Sequence, residues 1–138
     1  MAISISTAAR NAAVSGVAAL VDADVGAGTV AVRSGTKPVA VSDPATGTLL
    51  ATFTLADPAF TGPVNGVMTL DATPVLATVG VANDAAGWFR MFDNSGDAIL
   101  DGTVTTTGGG GDLEMNVTAI SVGLAVQIIA GTLTMPAG

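Results

Sequence analysis

The tetrapeptide Ser34–Lys37 reads Ser-Gly-Thr-Lys and has the S-x-x-K spacing of serine acyl-enzymes. In that chemistry the serine stands at the start of a buried helix and acts together with two further motifs, S-D-N and K-T-G. Here Gly35 lies inside the tetrapeptide, Pro38 follows it, and neither further motif occurs in the chain. The sequence therefore favours a turn between strands at this place.

Asp93, Ser95 and Asp97 alternate like the opening of a calcium loop, since Ca²⁺ takes several oxygen ligands from one short segment. The later positions depart from that loop. Gly96 comes too early for its turn, and Val104 stands where a bidentate glutamate is needed. Both flanks have the composition of strands, so we interpret the segment as a hairpin turn.

Two further patterns suggest chemistry only at first sight. The glycine tract Gly108–Gly111 is followed by Asp112, whereas a phosphate-binding loop continues with Lys and Ser or Thr into a helix. Asp97 and Asp101 form a carboxylate pair, but glycosidases usually surround their sugar with aromatic side chains, which are only 4% of this chain. The tract is predicted to be a hairpin loop, and the carboxylate pair is predicted to be non-catalytic.

The residue types that are absent point the same way. The chain contains no histidine, no cysteine and no tyrosine. It therefore lacks the usual general base near neutral pH, the usual zinc ligand and any thiol for a disulfide. The sequence predicts a protein that is not an enzyme, with no catalytic residue, no cofactor and no metal site.

Charge is scarce and acidic. Four basic and 11 acidic residues give a net charge of −7, and the basic residues are scattered singly, so binding to nucleic acid is not expected. Charged residues are 11% of the chain against about 25% in typical soluble domains. We expect neighbouring subunits, including further copies of this chain, to cover part of such a surface.

No targeting or membrane segment is predicted. The opening Met1–Ser6 has no basic region of the kind that begins a signal peptide. The most apolar stretch, Val122–Met135, contains Gln127 and two threonines and is shorter than the about 20 residues of a membrane helix. We expect synthesis in the cytoplasm and no contact with a membrane.

Residues 1–138 are expected to form a single domain that begins with one helix, at about residues 7–22. Ser6 and Thr7 are candidate caps, and an apolar stripe at helical spacing predicts the buried face, with Asn11, Ser15 and Asp22 on the opposite, polar face. The residues of that stripe are Ala13, Gly16, Val17 and Leu20, with Val14 and Val21 beside them.

From Gly28 onward, short runs rich in Thr and Val alternate with Gly, Pro, Asn and Asp, a pattern typical of successive antiparallel strands. The pair Asn65-Gly66 favours a type I′ hairpin turn, and Asp93–Gly96 also joins two strands. The prediction is a mainly β domain, an antiparallel β-sandwich or partly closed barrel of about seven strands with one N-terminal helix. The strands are placed near residues 29–33, 48–55, 66–70, 87–92, 98–105, 113–117 and 125–134.

Along the strand Gly87–Phe92, alternation places Trp88 and Arg90 on one face, and both faces are largely apolar. One interpretation is a central strand that packs on the core and on the helix, with Arg90 stacked on an aromatic neighbour. The other makes Trp88 and Arg90 anchors of an interface, since these residue types dominate binding hot spots.

Several segments resemble, in the same order, the small virion structural proteins, of the capsid decoration or cement type, of tailed bacteriophages. The opening Ser6–Ala13 carries the resemblance most clearly. Four further segments share it, namely Ala45–Thr52, Asp57–Phe60, Ala86–Arg90 and Asp101–Val104.

The resemblance implies a decoration protein on the outer surface of the virion capsid, with the major capsid protein and itself as partners. Such proteins bind through complementary surfaces and need no reactive group. It implies that the N-terminal segment and the strand edges contact the shell while the acidic face meets solvent. Arg10, Asn11, Trp88 and Arg90 are the interface candidates. The alternatives are another virion part, in the head completion, tail or fibre, and a secreted glycan-binding β-sandwich.

Overall fold

The computed structural model of the protein describes residues 3–136. Strands hold 43% of the described residues and the helix 11%, so the prediction of a mainly β chain with one N-terminal helix is confirmed. The elements are α1 (Thr7–Val21), β1 (Thr29–Ser34), β2 (Leu49–Thr54), β3 (Phe60–Val64), β4 (Val67–Leu70), β5 (Leu76–Val79), β6 (Asp84–Phe92), β7 (Ala98–Thr106), β8 (Leu113–Met115), β9 (Ala119–Ile120) and β10 (Ala125–Thr134).

The strands form one sheet that curls into a half-barrel, not the two packed sheets of a sandwich. Its order is β2-β1-β6-β7-β8-β10-β4-β3, with β5 also paired to β10 and β9 to β6. The pairs are antiparallel except β7 and β8, which run parallel. A hydrogen bond of 2.8 Å from Val81 N to Leu50 O also brings the chain after β5 against β2.

The described residues contain ten strands where about seven were expected, because β3, β5 and β9 give little sequence signal. β3 contains Gly62 and Pro63, which are unfavourable inside a strand. β5 has four residues and β9 only two, too few for an alternating pattern to stand out. β5 and β9 pair with the long strands β10 and β6, and β3 pairs with β4, so each gains hydrogen bonds that its own sequence does not reveal.

The helix begins where the sequence predicts, since the Ser6 hydroxyl accepts a hydrogen bond of 3.1 Å from Ala9 N. Its predicted buried face is correct only in part, at Val14 and Val21. Val14, Ala18 and Val21 are buried, whereas Leu20, which belongs to the predicted stripe, is 54% exposed. This helix is rich in alanine on every side, so apolar spacing alone does not select its packed face.

Polar side chains decide which way the helix faces. Asn11 Oδ1 accepts a hydrogen bond of 2.7 Å from Gly66 N, and Asp22 Oδ1 accepts one of 3.0 Å from Ala59 N. Both residues were assigned to the solvent side of the helix. They dock it instead, because each satisfies a backbone N–H group near β3 and β4 that would otherwise lack a partner.

The core fills the inside of the curled sheet and the space beneath the helix. Gly28 illustrates how closely the elements approach there, since a Cβ atom at this residue would collide with the carbonyl oxygen of Phe92. The largest side chains that are fully buried within the core cluster are Phe53, Leu50, Met91, Leu113, Met115 and Ile128.

Two of the three predicted hairpin connections are confirmed, whereas the tract Gly108–Gly111 joins the parallel strands β7 and β8 and is therefore not a hairpin loop. Asn65 and Gly66 join β3 to β4 with φ angles of 51° and 76°, the positive values that a type I′ turn requires. The segment between β6 and β7 closes with a hydrogen bond of 3.0 Å from Asp93 N to Asp97 O. The chain thus turns tightly where the sequence has Asn-Gly and Asp-Asn-Ser-Gly.

Candidate protein-interaction surface

Trp88 lies inside the molecule and not at its surface. Its side chain is fully buried, and Nε1 donates a hydrogen bond of 3.2 Å to the carbonyl oxygen of Ser34. The guanidinium carbon of Arg90 lies 5.4 Å from the centre of the indole ring, which is within the range of a cation–π contact. The predicted stacking of Arg90 on an aromatic neighbour is therefore present.

Arg90 forms a two-pronged ion pair with Asp101 on the neighbouring strand β7. Its Nε and NH2 atoms donate hydrogen bonds of 2.7 and 2.8 Å to the two carboxylate oxygens of Asp101. Both side chains are almost wholly buried. The hydrogen bond from Arg90 to Asp101 is the main reason why the pKa of Arg90 is raised, so the guanidinium stays charged.

The loop between β1 and β2, residues 35–48, covers this face of β6, and we call it the cover loop. Arg90 NH1 donates a hydrogen bond of 2.9 Å to the carbonyl oxygen of Asp43, in the middle of the loop. At the start of the loop, the carbonyl of Gly35 lies so close to Gly87 that a Cβ atom there would not fit. We expected the helix to cover β6, but α1 packs on β3, β4 and β7 instead.

Arg10 and Asn11 also contact the rest of this chain. Arg10 Nε donates a hydrogen bond of 2.9 Å to the carbonyl oxygen of Met135, and Asn11 binds Gly66 as described above. Together with Trp88 and Arg90 they are therefore used to hold the fold. Their role as anchors for another molecule stays a prediction, and a surface that a partner can reach must be sought elsewhere.

The segments whose sequence suggests chemistry have structural tasks. Ser34 ends β1, and its hydroxyl accepts a hydrogen bond of 2.9 Å from Thr48 N. Asp93 Oδ1 accepts hydrogen bonds from Ser95 N, Ser95 Oγ and Asp97 N, and the Ser95 hydroxyl is the main cause of a lowered pKa for Asp93. Between residues 3 and 136, no three His, Cys, Asp or Glu residues are grouped to hold a metal ion.

A group of exposed aliphatic side chains lies where the ends of β5 and β10 meet. Val79, Val81, Val122 and Leu124, which we call the apolar end, are between 37% and 66% exposed. Val79 is paired in register with Ala125, the first residue of β10. Four large aliphatic side chains therefore share one part of the surface.

Two loops build the apolar end and hold each other in place. Gly80 N donates a hydrogen bond of 2.9 Å to Leu124 O, and Gly123 N donates one of 2.8 Å to Gly80 O. Val122 N is held by Asn83 Oδ1 at 2.9 Å. Gly80 leaves no room for a side chain, because a Cβ atom would collide with Ser121 O. The aliphatic side chains thus project from a fixed backbone.

The two sequence segments that form the apolar end also contain no charged side chains. No charged side chain occurs from residue 72 to residue 83 or from residue 115 to residue 138, and Asp84 is the first to follow the loop at Gly80. This surface was not predicted, because the interface candidates were chosen among Trp and Arg, the residue types expected at hot spots. The two long uncharged segments were the signal that would have found it.

Comparison of the chain with protein-family models, with curated proteins and with solved structures gives no match. Within residues 3–136, no helix is long and apolar enough to cross a membrane.

Proposed function

We propose that this protein is a structural component of a tailed-phage virion, a decoration protein that binds the outer surface of the major capsid shell and stabilises it. The observation that carries the proposal is the apolar end, where four aliphatic side chains are exposed on a rigid, uncharged surface. Exposed apolar surface of this kind is typical of sites that another protein covers. The sequence resemblance supplies the identity of the partner.

The surface chemistry suits a role that depends on many weak contacts. The apolar end contacts capsid subunits, and the acidic residues elsewhere on the surface meet solvent and keep the protein soluble. Repeated over a whole shell, contacts of modest individual strength stiffen the particle. The chain is made in the host cytoplasm and is found on the capsid of the mature virion.

A glycan-binding role finds less support. Such modules stack sugars on exposed aromatic rings. Four of the five aromatic side chains, Phe53, Phe60, Trp88 and Phe89, are buried, and Phe92 is only partly exposed. The described residues therefore offer no exposed aromatic platform, and fluorescence quenching of Trp88 should be unaffected by added sugars.

The test is the position and copy number of the chain in purified virions, measured by cryo-electron microscopy and quantitative mass spectrometry. Several hundred copies on the outer shell are expected. About six or twelve copies at one vertex would identify a head-completion or tail protein instead. Absence of the chain from virions would refute both roles.

A matched pair of variants tests the apolar end itself. Val122→Asp places a charge in this surface, whereas Val25→Asp places one at a valine that is 99% exposed elsewhere. We expect V122D to lose binding to shells that lack the protein, and V25D to bind like the unmodified chain. Equal binding by the two variants, measured by co-sedimentation, would contradict the assignment of this surface.

A further inference from the structure

A cavity of about 210 Å³ with both apolar and polar walls opens between β7 and the end of β10. Cavities of about 150 Å³ with aliphatic and aromatic walls bind molecules as large as benzene, so this volume accepts the side chain of an isoleucine. Asp112, Thr132 and Thr134 also line it. The apolar residues along its walls are Phe60, Leu70, Phe89, Met91, Leu100 and Leu133.

The cavity lies where the sheet lacks a length of strand. β8 contains only Leu113–Met115, and it pairs with Val104–Thr106 of β7 and with residues 128–131 of β10. Asp112 still bridges the two strands, since its carbonyl oxygen accepts a hydrogen bond of 3.0 Å from Thr132 N and its own N–H donates one of 3.2 Å to Thr103 Oγ1. Before Asp112 the chain turns away, since Gly111 N donates a hydrogen bond of 3.0 Å to Thr105 Oγ1. Among the described residues, no strand continues β8 between residues 100–102 of β7 and residues 133–134 of β10.

The segment before the helix has the pattern that such a gap accepts. Ile3-Ser4-Ile5-Ser6 alternates apolar and polar residues, which in an extended chain places both isoleucines on one face. Ile3 is 74% exposed and Ile5 is 36% exposed. Within one chain, therefore, Ile3 is largely in water and Ile5 is partly so, while the cavity remains open.

We propose that the segment Ile3–Ser6 of one copy inserts as a strand between β7 and β10 of a second copy. Ile3 and Ile5 then point into the cavity, and Ser4 and Ser6 face solvent. The exchange buries the two isoleucines and extends the sheet with backbone hydrogen bonds, as in other cases of strand addition. The same segment on every copy makes the association a self-association.

Electrostatic repulsion does not oppose insertion of the segment Ile3–Ser6, although each copy carries a net charge of −7. The inserted segment has no charged side chain. Of the two carboxylates at the cavity, Asp101 is neutralised by Arg90, and Asp112 Oδ2 accepts hydrogen bonds from Thr103 N and Oγ1. Insertion therefore brings no like charges into contact.

The chain has no cysteine, so single cysteines report directly on the contact. We would mix a Ser4→Cys chain with a longer, tagged Thr134→Cys chain and add a short bismaleimide cross-linker. Ser4 faces outward in the proposal, and Thr134 is an exposed residue at the edge of the cavity. In the control, Val25→Cys takes the place of Thr134→Cys. Val25 is 99% exposed, so its thiol is accessible to the cross-linker.

We expect a cross-linked pair of the two chains, with a yield about tenfold or more above that of the control. Adding Ile3→Ser and Ile5→Ser to the S4C chain should abolish this excess, because burial of each isoleucine contributes about a factor of ten to association. Adding Leu20→Ser, at an exposed leucine on α1, should leave it unchanged. Thermal unfolding of each variant confirms that it is folded.

Two results would overturn the proposal. One is a yield no higher than that of the V25C control. The other is a cross-link that forms only within single chains of the S4C/T134C double variant, which would mean that the segment fills the cavity of its own chain. The experiment uses the purified protein alone, so its outcome does not depend on the capsid proposal.

Discussion

The β6–β7 hairpin and the apolar end use their side chains in opposite ways. In the hairpin, Arg90 and Asp101 neutralise each other, the Trp88 N–H group has a carbonyl partner, and Asp93 accepts three hydrogen bonds. In the apolar end, Val79 and its three neighbours are 37% to 66% exposed in the single chain.

We expect this difference to separate residues that complete the fold from residues that bind a partner. In the part of the chain that the structure describes, no buried side-chain nitrogen or oxygen lacks a hydrogen-bond partner. Polar interactions are therefore complete within one molecule, and what remains unsatisfied is apolar. Substitutions in the hairpin should reduce stability, whereas substitutions in the apolar end should reduce binding.

The largest effect is expected for Trp88→Ala. Truncating a fully buried tryptophan removes its packing against the cover loop and the cation–π contact with Arg90. We expect a loss of about 3–5 kcal/mol in the free energy of unfolding, measured with urea. Val39→Ala, at a valine that is 99% exposed in the same loop, is the control and should change little. A small loss for W88A would mean that the loop does not hold the tryptophan.

Asp101→Ala should have the next largest effect. It leaves the Arg90 guanidinium almost buried without its counter-ion, which costs about 3 kcal/mol in comparable pairs. Asp24→Ala removes an exposed carboxylate and should change the free energy of unfolding by less than about 0.5 kcal/mol. If the two variants unfolded alike, the ion pair would contribute nothing, and the hairpin would not differ from the rest of the surface.

Asp93 should make the stability of the hairpin depend on pH. The pKa of Asp93 is lowered in the folded state, chiefly by the Ser95 hydroxyl, while in the unfolded chain the carboxyl titrates at about pH 4. The folded state is therefore stabilised above that pH, and the stabilisation is lost as the pH falls through the lowered pKa. We expect Tm to fall with acid more steeply for the unmodified chain than for Asp93→Asn. Parallel Tm curves for the two chains would contradict this assignment.

Sequence patterns predicted the local structure well where one residue type decides it. The Ser6 cap, the Asn65-Gly66 turn and the turn after Asp93 were all predicted, because each depends on a few adjacent residues. The buried face of α1 was predicted correctly only at Val14 and Val21, since Asn11 and Asp22 accept hydrogen bonds from residues that are distant in sequence.

The accessible surface was harder to predict, because it too depends on contacts between residues that are distant in sequence. Trp88 and Arg90 have the composition of a hot spot, and only the course of the cover loop through Gly35 and Asp43 reveals that they are enclosed. The apolar end combines two segments about forty residues apart, which meet through the hydrogen bonds of Gly80. The sequence pattern of one strand contains no information about which distant segments come into contact with it.

The smallest effect on the free energy of unfolding is expected at the apolar end. It is also the sharpest test of the difference between the β6–β7 hairpin and the apolar end. Val122→Thr keeps the β-branched shape, and because the side chain is 66% exposed we expect a change below about 0.5 kcal/mol in the free energy of unfolding. Val126→Thr makes the same change four residues later at a fully buried site, where an unpaired hydroxyl costs about 1–3 kcal/mol. Urea unfolding of both variants measures the difference. If V122T were as destabilised as V126T, the apolar end would belong to the core, and its exposed valines would be no evidence for a partner.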